Sequence, residues 1–138
     1  MSTKKDEHAE IIVGIPSYME ADSIGFVTQQ VDRGLQRYFS QYRSLIVNAD
    51  NNSEDNTRDA FLSTPTATSK KYITTPRGVK GKGNNFLNLF KYGKTQMSDL
   101  KAIVVVDADL KSITPEWIKY LAEPIVKGFD YALPRYSR

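Results

Sequence analysis

The sequence predicts an α/β domain in which a mostly parallel sheet is flanked by helices. Short runs of β-branched and apolar residues alternate along the chain with amphipathic stretches, and polar or glycine-rich segments follow the apolar runs. Strands that alternate with helices favour parallel pairing through right-handed crossovers. The length of 138 residues fits one domain that buries its own core.

Five short apolar runs are predicted to be strands because they are rich in residues that suit a buried sheet. In chain order they lie at residues 10–15, 44–47, 71–74, 101–106 and 129–133. Loops with unusual residues follow the first four runs. Since the carboxyl ends of parallel strands share one edge, where such sheets bind ligands, we expect these four loops to form a single site.

Four stretches with helical signals connect these strands. They lie at residues 22–39, 57–62, 84–94 and 115–127. The first has apolar residues at helical spacing and Asp22 or Ser23 as its N-cap. The second follows a polar turn at residues 48–56, where Ser53 or Asp55 can cap the first amides. The last starts with Pro115, because proline suits the first helical position.

The bulk composition narrows the classes of function. The net charge of +3 is modest and favours a polyanionic small ligand at least as well as nucleic acid. The absence of cysteine excludes disulfides and thiolate chemistry, and the one histidine, His8, lies in a polar tail predicted to be disordered over residues 1–9. No apolar run is long enough to span a membrane, and the N-terminus lacks a secretory signal, so we expect a cytoplasmic protein.

An i, i+2 pair of carboxylates, Asp107 and Asp109, follows the apolar run at residues 101–106. Because side chains alternate along a strand, both carboxylates can project to one side while Ala108 points to the other. Mg²⁺ and Mn²⁺ prefer such oxygen ligands and often share their coordination shell with phosphates. Taken alone, the pair also fits acidic residues that follow any buried strand.

Two common nucleotide motifs are missing from the positions where they are needed. The segment after the first strand, Gly14-Ile15-Pro16-Ser17-Tyr18, has proline and tyrosine where a dinucleotide-binding loop needs glycines. The glycine-rich segment 78–83 lacks the Gly-Lys-Ser/Thr end of an ATP-binding P-loop. What remains is a predicted metal site facing a basic loop, and this combination suits a nucleotide diphosphate.

Several segments resemble motifs of GT-A-fold glycosyltransferases. Residues 50–57 resemble their D-D-G-S-x-D-x-T segment, residues 81–84 their G-K-G loop and residues 107–109 their D-x-D metal motif. Pro16 and Glu20 match the P-x-x-x-E start of the donor site. The resemblance implies the Rossmann-like, nucleotide-binding half of a GT-A fold, and it is greatest to the glucosylglycerate and glucosyl-3-phosphoglycerate synthase group. Asn51 departs from the aspartate of many relatives.

The resemblance also implies site residues. Asp109 is expected to bind the metal directly, and Asp107 to contact the ribose or a metal-bound water. Asp109 and Lys82 are the residues expected to act in catalysis, and Asp50 is the candidate for base recognition. The donor-binding residues implied are Pro16, Ser17, Tyr18, Glu20, Asp50, Lys80, Gly81, Lys82, Asp107 and Ala108.

The function implied is transfer of a sugar, glucose in the favoured case, from a nucleotide diphosphate to glycerate or phosphoglycerate. UDP-glucose is the favoured donor and a GDP-sugar the other possibility, with Mg²⁺ or Mn²⁺ as cofactor and a retaining outcome. Residues 10–138 are expected to form the donor-binding domain and to stop before the acceptor-binding region, where relatives keep a histidine metal ligand. The resemblance implies no nucleic-acid partner, and it leaves a homodimer possible.

Two alternatives to an enzyme stay open on sequence grounds. One is a module that binds a nucleotide sugar without catalysing a reaction. The other is a nucleic-acid-binding domain that uses the basic residues Arg77, Lys80 and Lys82. Salt-sensitive binding to oligonucleotides would distinguish the second alternative from a nucleotide-sugar site.

Overall fold

Four parallel strands alternate with four helices in the part of the chain that the computed structural model describes, residues 8–76, 81–96 and 100–126. In chain order the elements are β1 (Ile11–Ser17), α1 (Ile24–Tyr38), β2 (Ser44–Asp50), α2 (Thr57–Ser63), β3 (Ser69–Thr74), α3 (Lys82–Gln96), β4 (Ala102–Val105) and α4 (Pro115–Val126). The strand order is β3-β2-β1-β4. The predicted α/β class is therefore confirmed, whereas the predicted strand at 129–133 and the predicted helix end at Lys127 lie outside the described residues.

Helices cover both faces of the sheet. On one face, α1, α2 and α4 pack over a core that includes Ile11, Val13 and Ile15 of β1. On the other face, Leu89 of α3 packs with Ile12 and other strand residues. Successive residues of β1 thus enter opposite cores, which explains why its sequence is a continuous apolar run. No helix in the described ranges is long and apolar enough to cross a membrane.

The first two strands extend further than the sequence predicted. Residues 48–50 were expected to begin a polar turn, but they continue β2, and β1 continues through Ser17. The side-chain nitrogen Nδ2 of Asn48 donates to the Ile15 carbonyl and to Ser17 Oγ, each at 2.9 Å, so this buried donor finds its acceptors on the neighbouring strand. The prediction was wrong here because residue polarity does not reveal buried hydrogen-bond partners on a neighbouring strand.

The register brings the strand ends to one edge. Asp50 at the end of β2 is paired with Ser17 on β1 and with Thr74 on β3. On the other side of β1, the pairing with β4 ends at Gly14 and Val105, and the Val106 amide still donates to the Gly14 carbonyl at 2.9 Å. The predicted convergence of the loops after β1, β2 and β4 is thereby confirmed. We call this side the carboxyl edge.

Gly34 permits close contact between α1 and α4. A Cβ atom at this position would lie 2.6 Å from the Pro115 carbonyl oxygen and 2.7 Å from Ile118 Cβ. The first of these atoms belongs to the backbone, so the contact cannot be relieved by a side-chain rotation. The two helices can therefore approach this closely only because residue 34 has no side chain.

Gly34→Ala is expected to lower the free energy of unfolding by about 2 kcal/mol, because the added methyl group overpacks the interface between α1 and α4. Urea unfolding followed by circular dichroism measures the change. Gly83→Ala is the matched control, since a Cβ there meets nothing within 4 Å. The control should be neutral or stabilising by about 0.5 kcal/mol, because alanine is the better helix former. Equal effects of the two variants would contradict the packing explanation.

Candidate functional site

Asp50 lies at the centre of the carboxyl edge and is fully buried. Its carboxylate accepts hydrogen bonds from Ser17 Oγ at 2.6 Å, Ser53 Oγ at 2.7 Å, Tyr72 Oη at 2.8 Å and the Ser53 amide at 2.9 Å. These four donors occupy the acceptor positions of the carboxylate. Asp50 thus joins the ends of β1 and β3 to the loop after β2. Direct contact between Asp50 and a base would require one of these bonds to be exchanged, and this role stays a prediction.

The pKa of Tyr72 reflects its place in the Asp50 network. Burial raises the pKa of its phenol to about 12, and the hydrogen bond to the Asp50 carboxylate and the charge of that carboxylate add to the effect. The folded-state pKa therefore lies above the ordinary value of 10.0. The contribution of the neutral phenol to the free energy of unfolding is fully present below pH 10. It is lost as the pH rises through the folded-state pKa.

Alkaline titration is expected to show this shift. In a difference spectrum between the wild type and Tyr72→Phe, phenolate absorbance should rise with a midpoint near pH 12, because Tyr72 keeps its proton beside a buried carboxylate. Tyr120→Phe is the control, since Tyr120 is 68% exposed and lies on α4. A component near pH 10 that disappears in Tyr72→Phe would show that the phenol does not donate to Asp50.

Three successive amides after β1 donate to side-chain oxygens of residues 53–57. The pairs are Met19 with Ser53 Oγ at 2.8 Å, Glu20 with Thr57 Oγ1 at 2.9 Å and Ala21 with Asp55 Oδ2 at 3.2 Å. Asn56 is the N-cap residue of α2, but Asp55 accepts from the Thr57 amide at 3.0 Å, so the predicted bond between Asp55 and a first amide is present. Burial opposes ionisation of Asp55, but hydrogen bonds from the side chain and amide of Thr57 and from the Ala21 amide outweigh it and lower its pKa.

These bonds fix the predicted donor-binding segment after β1. Tyr18 is 58% exposed and Glu20 is half-buried, so both lie at the surface of the carboxyl edge. Pro16 and Ser17 are instead buried within β1. The structure therefore brings Ser17 and Asp50 into direct contact but leaves Tyr18 and Glu20 as the more accessible of the predicted residues on this segment.

Asn51 was singled out in the sequence only as a departure from a family pattern, yet it links three strand ends. Its amide nitrogen Nδ2 donates to the Gly81 carbonyl at 3.2 Å, and Oδ1 accepts from Thr75 Oγ1 at 3.4 Å. Its backbone amide donates to the Ser17 carbonyl at 3.0 Å. An aspartate carboxylate has no proton to donate to the Gly81 carbonyl. This explains why asparagine, and not aspartate, suits position 51.

Gly81 starts the loop-to-helix junction before α3. Its φ of +105° lies in a region that side chains disfavour, which explains the glycine. Asn85 in the first turn of α3 is 3% exposed, and its Nδ2 donates to the Ser17 carbonyl at 3.2 Å. Sequence reasoning missed Asn85, since no spacing rule singles out an asparagine inside a helix. Together Asn51 and Asn85 dock the start of α3 against the ends of β1 and β2.

The predicted cations of this loop are only partly described. Lys82 begins α3, so its backbone lies at the helix start beside Gly81. The side chain of Lys82 lies outside the described residues, as do Lys80 and Arg77. Diphosphate binding by these residues stays a prediction. The described backbone places the first amides of a 15-residue helix at the carboxyl edge, where a helix favours negative charge.

Asp107 and Asp109 follow β4 at the same edge. Asp107 is half-buried, Ala108 is 1% exposed and packs into the larger core, and Asp109 is exposed. β4 ends at Val105 and residues 108–109 form a turn, so strand alternation does not extend to this pair, and the projection of both carboxylates to one side stays a prediction. The Leu110 amide donates to the Asp107 carbonyl at 3.3 Å and closes a turn after the strand.

The donor set at this turn fits a hard divalent cation. Carboxylate oxygens are suitable ligands for Mg²⁺ or Mn²⁺, and these ions commonly take their remaining ligands from water and phosphate. Within residues 8–76, 81–96 and 100–126, no group of three or more acidic, histidine or cysteine side chains is placed to hold a metal. Asp107 and Asp109 could supply only part of a coordination shell, and metal binding by these residues stays a prediction.

A parallel sheet with a hydrogen-bonded carboxyl edge, a glycine-led helix start and a carboxylate pair on the adjacent strand defines a Rossmann-like α/β domain of the GT-A type. The chain belongs to glycosyl transferase family 2, whose family model matches residues 12–138. No curated protein sequence matches the chain.

Solved structures share this fold at low sequence identity. Glucosyl-3-phosphoglycerate synthase of Mycobacterium tuberculosis superposes with a TM-score of 0.63 at 17% identity, over 87% of this chain and 41% of that one. Its complex with Mn²⁺, UDP-glucose and phosphoglyceric acid gives 0.63 at 18% identity, over 87% and 40%. A mycobacterial protein gives 0.62 at 20% identity, over 88% and 38%. The chain thus spans about two fifths of the length of these neighbours, and the predicted resemblance to this group is confirmed.

Proposed function

We propose that this chain is the donor-binding half of a metal-dependent glycosyltransferase that uses a nucleotide diphosphate sugar. The observation that carries the proposal is the construction of the carboxyl edge. Ser17 and Asp50 are joined directly, Asn51 joins β2 to the start of α3 at Gly81, and the Asp107–Asp109 turn follows the neighbouring strand. Membership of glycosyl transferase family 2 supports a sugar nucleotide as the ligand of this edge.

Different residues are proposed to bind different parts of the donor. Tyr18 and Glu20 are proposed to contact the base and ribose, since they lie at the surface of a segment whose amides are bound by side chains of residues 53–57. Lys80, Gly81 and Lys82 are proposed to bind the diphosphate. Asp109 is proposed as the direct metal ligand and Asp107 as its neighbour on the ribose or a metal-bound water. A divalent ion held there supplies stabilisation of the negative charge on the leaving diphosphate.

UDP-glucose is the proposed donor, with a GDP-sugar as the second candidate, and glycerate or phosphoglycerate is the proposed acceptor. The support is the structural likeness to a synthase whose complex holds UDP-glucose and phosphoglyceric acid. We also propose that transfer retains the anomeric configuration, as the resemblance to the glucosyl-3-phosphoglycerate synthase group implies. A cytoplasmic location and a homodimer stay predictions.

Isothermal titration of the chain with UDP, GDP and UDP-glucose, each with and without Mn²⁺, tests the proposal. Metal is expected to tighten binding of UDP-glucose by about tenfold or more, since each 1.4 kcal/mol of phosphate–metal interaction changes affinity tenfold. A parallel assay measures glucose transfer to glycerate and 3-phosphoglycerate, with the anomer of the product read by proton NMR. Chelation with EDTA should remove both the tighter binding and the transfer.

The outcomes separate the enzyme from its alternatives. Metal-dependent binding without transfer or hydrolysis would show that this chain by itself is a nucleotide-sugar-binding module. Salt-sensitive binding to oligonucleotides with no binding to UDP or GDP would contradict the proposal and favour a nucleic-acid-binding domain.

A further inference from the structure

Ser23 occupies the N-cap position of α1 but does not cap the helix. No hydrogen bond links its side chain to the first amides of α1, although serine is among the residues that usually accept such a bond. The sequence predicted Asp22 or Ser23 as the N-cap; Ser23 is confirmed at this position, but its side chain makes no cap bond. Its hydroxyl is used for another contact.

The Ser23 hydroxyl donates to the Ala108 carbonyl at 2.9 Å, across 85 residues of sequence. Both partners are buried, with 5% of Ser23 and 1% of Ala108 exposed. A buried hydrogen bond of this kind fixes the direction of a peptide group, because leaving its carbonyl unpaired costs free energy. The carbonyl that it fixes belongs to the residue between Asp107 and Asp109.

Ser23 is also tied to the segment after β1. The backbone amides of Ser23 and Ile24 donate to the Glu20 carbonyl at 3.1 and 3.0 Å, and the Glu20 amide is bound by Thr57. One residue therefore contacts both the turn that carries the two aspartates and the segment that carries Tyr18 and Glu20.

We infer that Ser23 is a positioning residue that sets the orientation of the Asp107–Asp109 turn relative to the nucleotide-binding segment. The inference rests on the proposed function and deepens it, since it names a residue that organises the metal-binding half of the same site. Ser23 acts through the Ala108 peptide group. Residues bonded directly to metal ligands commonly change metal affinity 10- to 100-fold when they are replaced, and Ser23, one peptide group away, is expected at the lower end of that range.

Ser23→Ala tests the inference through a difference between two affinities. Free Mn²⁺ is followed by electron paramagnetic resonance at saturating UDP, and UDP binding without metal is measured by calorimetry. We expect Mn²⁺ affinity to fall about tenfold, because the aspartates lose their fixed orientation. Metal-free UDP affinity should change less than about twofold, since the groups proposed to bind the base remain. Ser23→Thr keeps the hydroxyl and should restore most of the Mn²⁺ affinity.

Thr28→Ala is the matched control. Thr28 lies on the same helix, is fully buried, and its Oγ1 has no hydrogen-bond partner within the described part of the chain. The control removes a buried hydroxyl without touching the Ala108 carbonyl. An equal loss of Mn²⁺ affinity in Thr28→Ala and Ser23→Ala would overturn the inference, because the effect would then follow general destabilisation.

Amide hydrogen exchange gives a second readout that needs no ligand. In Ser23→Ala the amides of residues 107–110 should exchange about tenfold faster, with β4 unchanged, because the turn opens more readily without its anchor. Unchanged exchange at these residues would contradict the role of Ser23. A wild-type chain that binds neither UDP nor Mn²⁺ would contradict the proposed function instead, so the two failures are distinguishable.

Discussion

Asp50→Ala is expected to lower the free energy of unfolding by about 4 kcal/mol. The substitution removes the acceptor of four buried or part-buried hydrogen bonds and leaves the hydroxyls of Ser17, Ser53 and Tyr72 without the partner that they share. Each unsatisfied buried polar group costs about 1–3 kcal/mol, and water entering the space left by the carboxylate recovers part of the sum. Such a loss is a large fraction of the stability of an ordinary domain.

Chemical unfolding in urea measures this effect, with circular dichroism and tyrosine fluorescence as independent probes. Glu54→Ala is the matched control, because Glu54 is an exposed acidic residue in the same loop. The control should change stability by less than about 0.5 kcal/mol. Asp50→Asn keeps the size of the side chain and one oxygen acceptor, so it should fall between the control and Asp50→Ala. If Asp50→Ala matched the control, the carboxylate would not organise the carboxyl edge.

Asp109→Asn is expected to weaken the Mn²⁺-dependent part of UDP-glucose binding by about 100-fold, equivalent to roughly 2.7 kcal/mol. Asp109 is exposed in the turn after β4, so it can reach a ligand without the release of a buried contact. Replacing its charge with a neutral amide weakens its attraction for a divalent ion while the shape of the side chain is kept. Since the residue is exposed, the free energy of unfolding should be nearly unchanged.

Calorimetric titration of UDP-glucose at increasing Mn²⁺ concentration separates metal-dependent from metal-independent binding. Asp59→Asn makes the same change of charge at an exposed position on α2 and serves as the control. The control should leave Mn²⁺-dependent binding within about twofold of the wild type, because an exposed charge that does not coordinate the ion is largely screened by salt. If the two variants lost affinity equally, the effect would reflect net charge, and Asp109 would not be a metal ligand.

Most elements of the fold were predictable from local patterns. The apolar runs and helical spacings located all four described strands and all four described helices, because core-facing positions recur with the period of each element. The ends were less predictable. The prediction ended β2 too early, since Asn48 and Asp50 are polar and yet buried, and their partners come from β1 and β3.

The site was predictable to a similar extent. Motif spacing located the Asp107–Asp109 turn and the Gly81 junction, and the parallel topology places both at the carboxyl edge together with the ends of β1 and β2. The motif spacing did not reveal the contacts of Asn51 or Asn85. Neither residue carries charge, and each is placed by hydrogen bonds to carbonyls 30 or 68 positions away in the chain.

The sequence by itself determined that this protein is an α/β domain with a carboxylate pair after its fourth strand, because periodicity and residue type are local properties. Only the tertiary structure decided that Asp50 is enclosed by four donors and that Ser23 holds the Ala108 carbonyl. The direction of a polar side chain is set by partners that folding brings close from distant positions. No local pattern encodes which hydroxyl will donate to which carbonyl, and the geometry of the site depends on those hydrogen bonds.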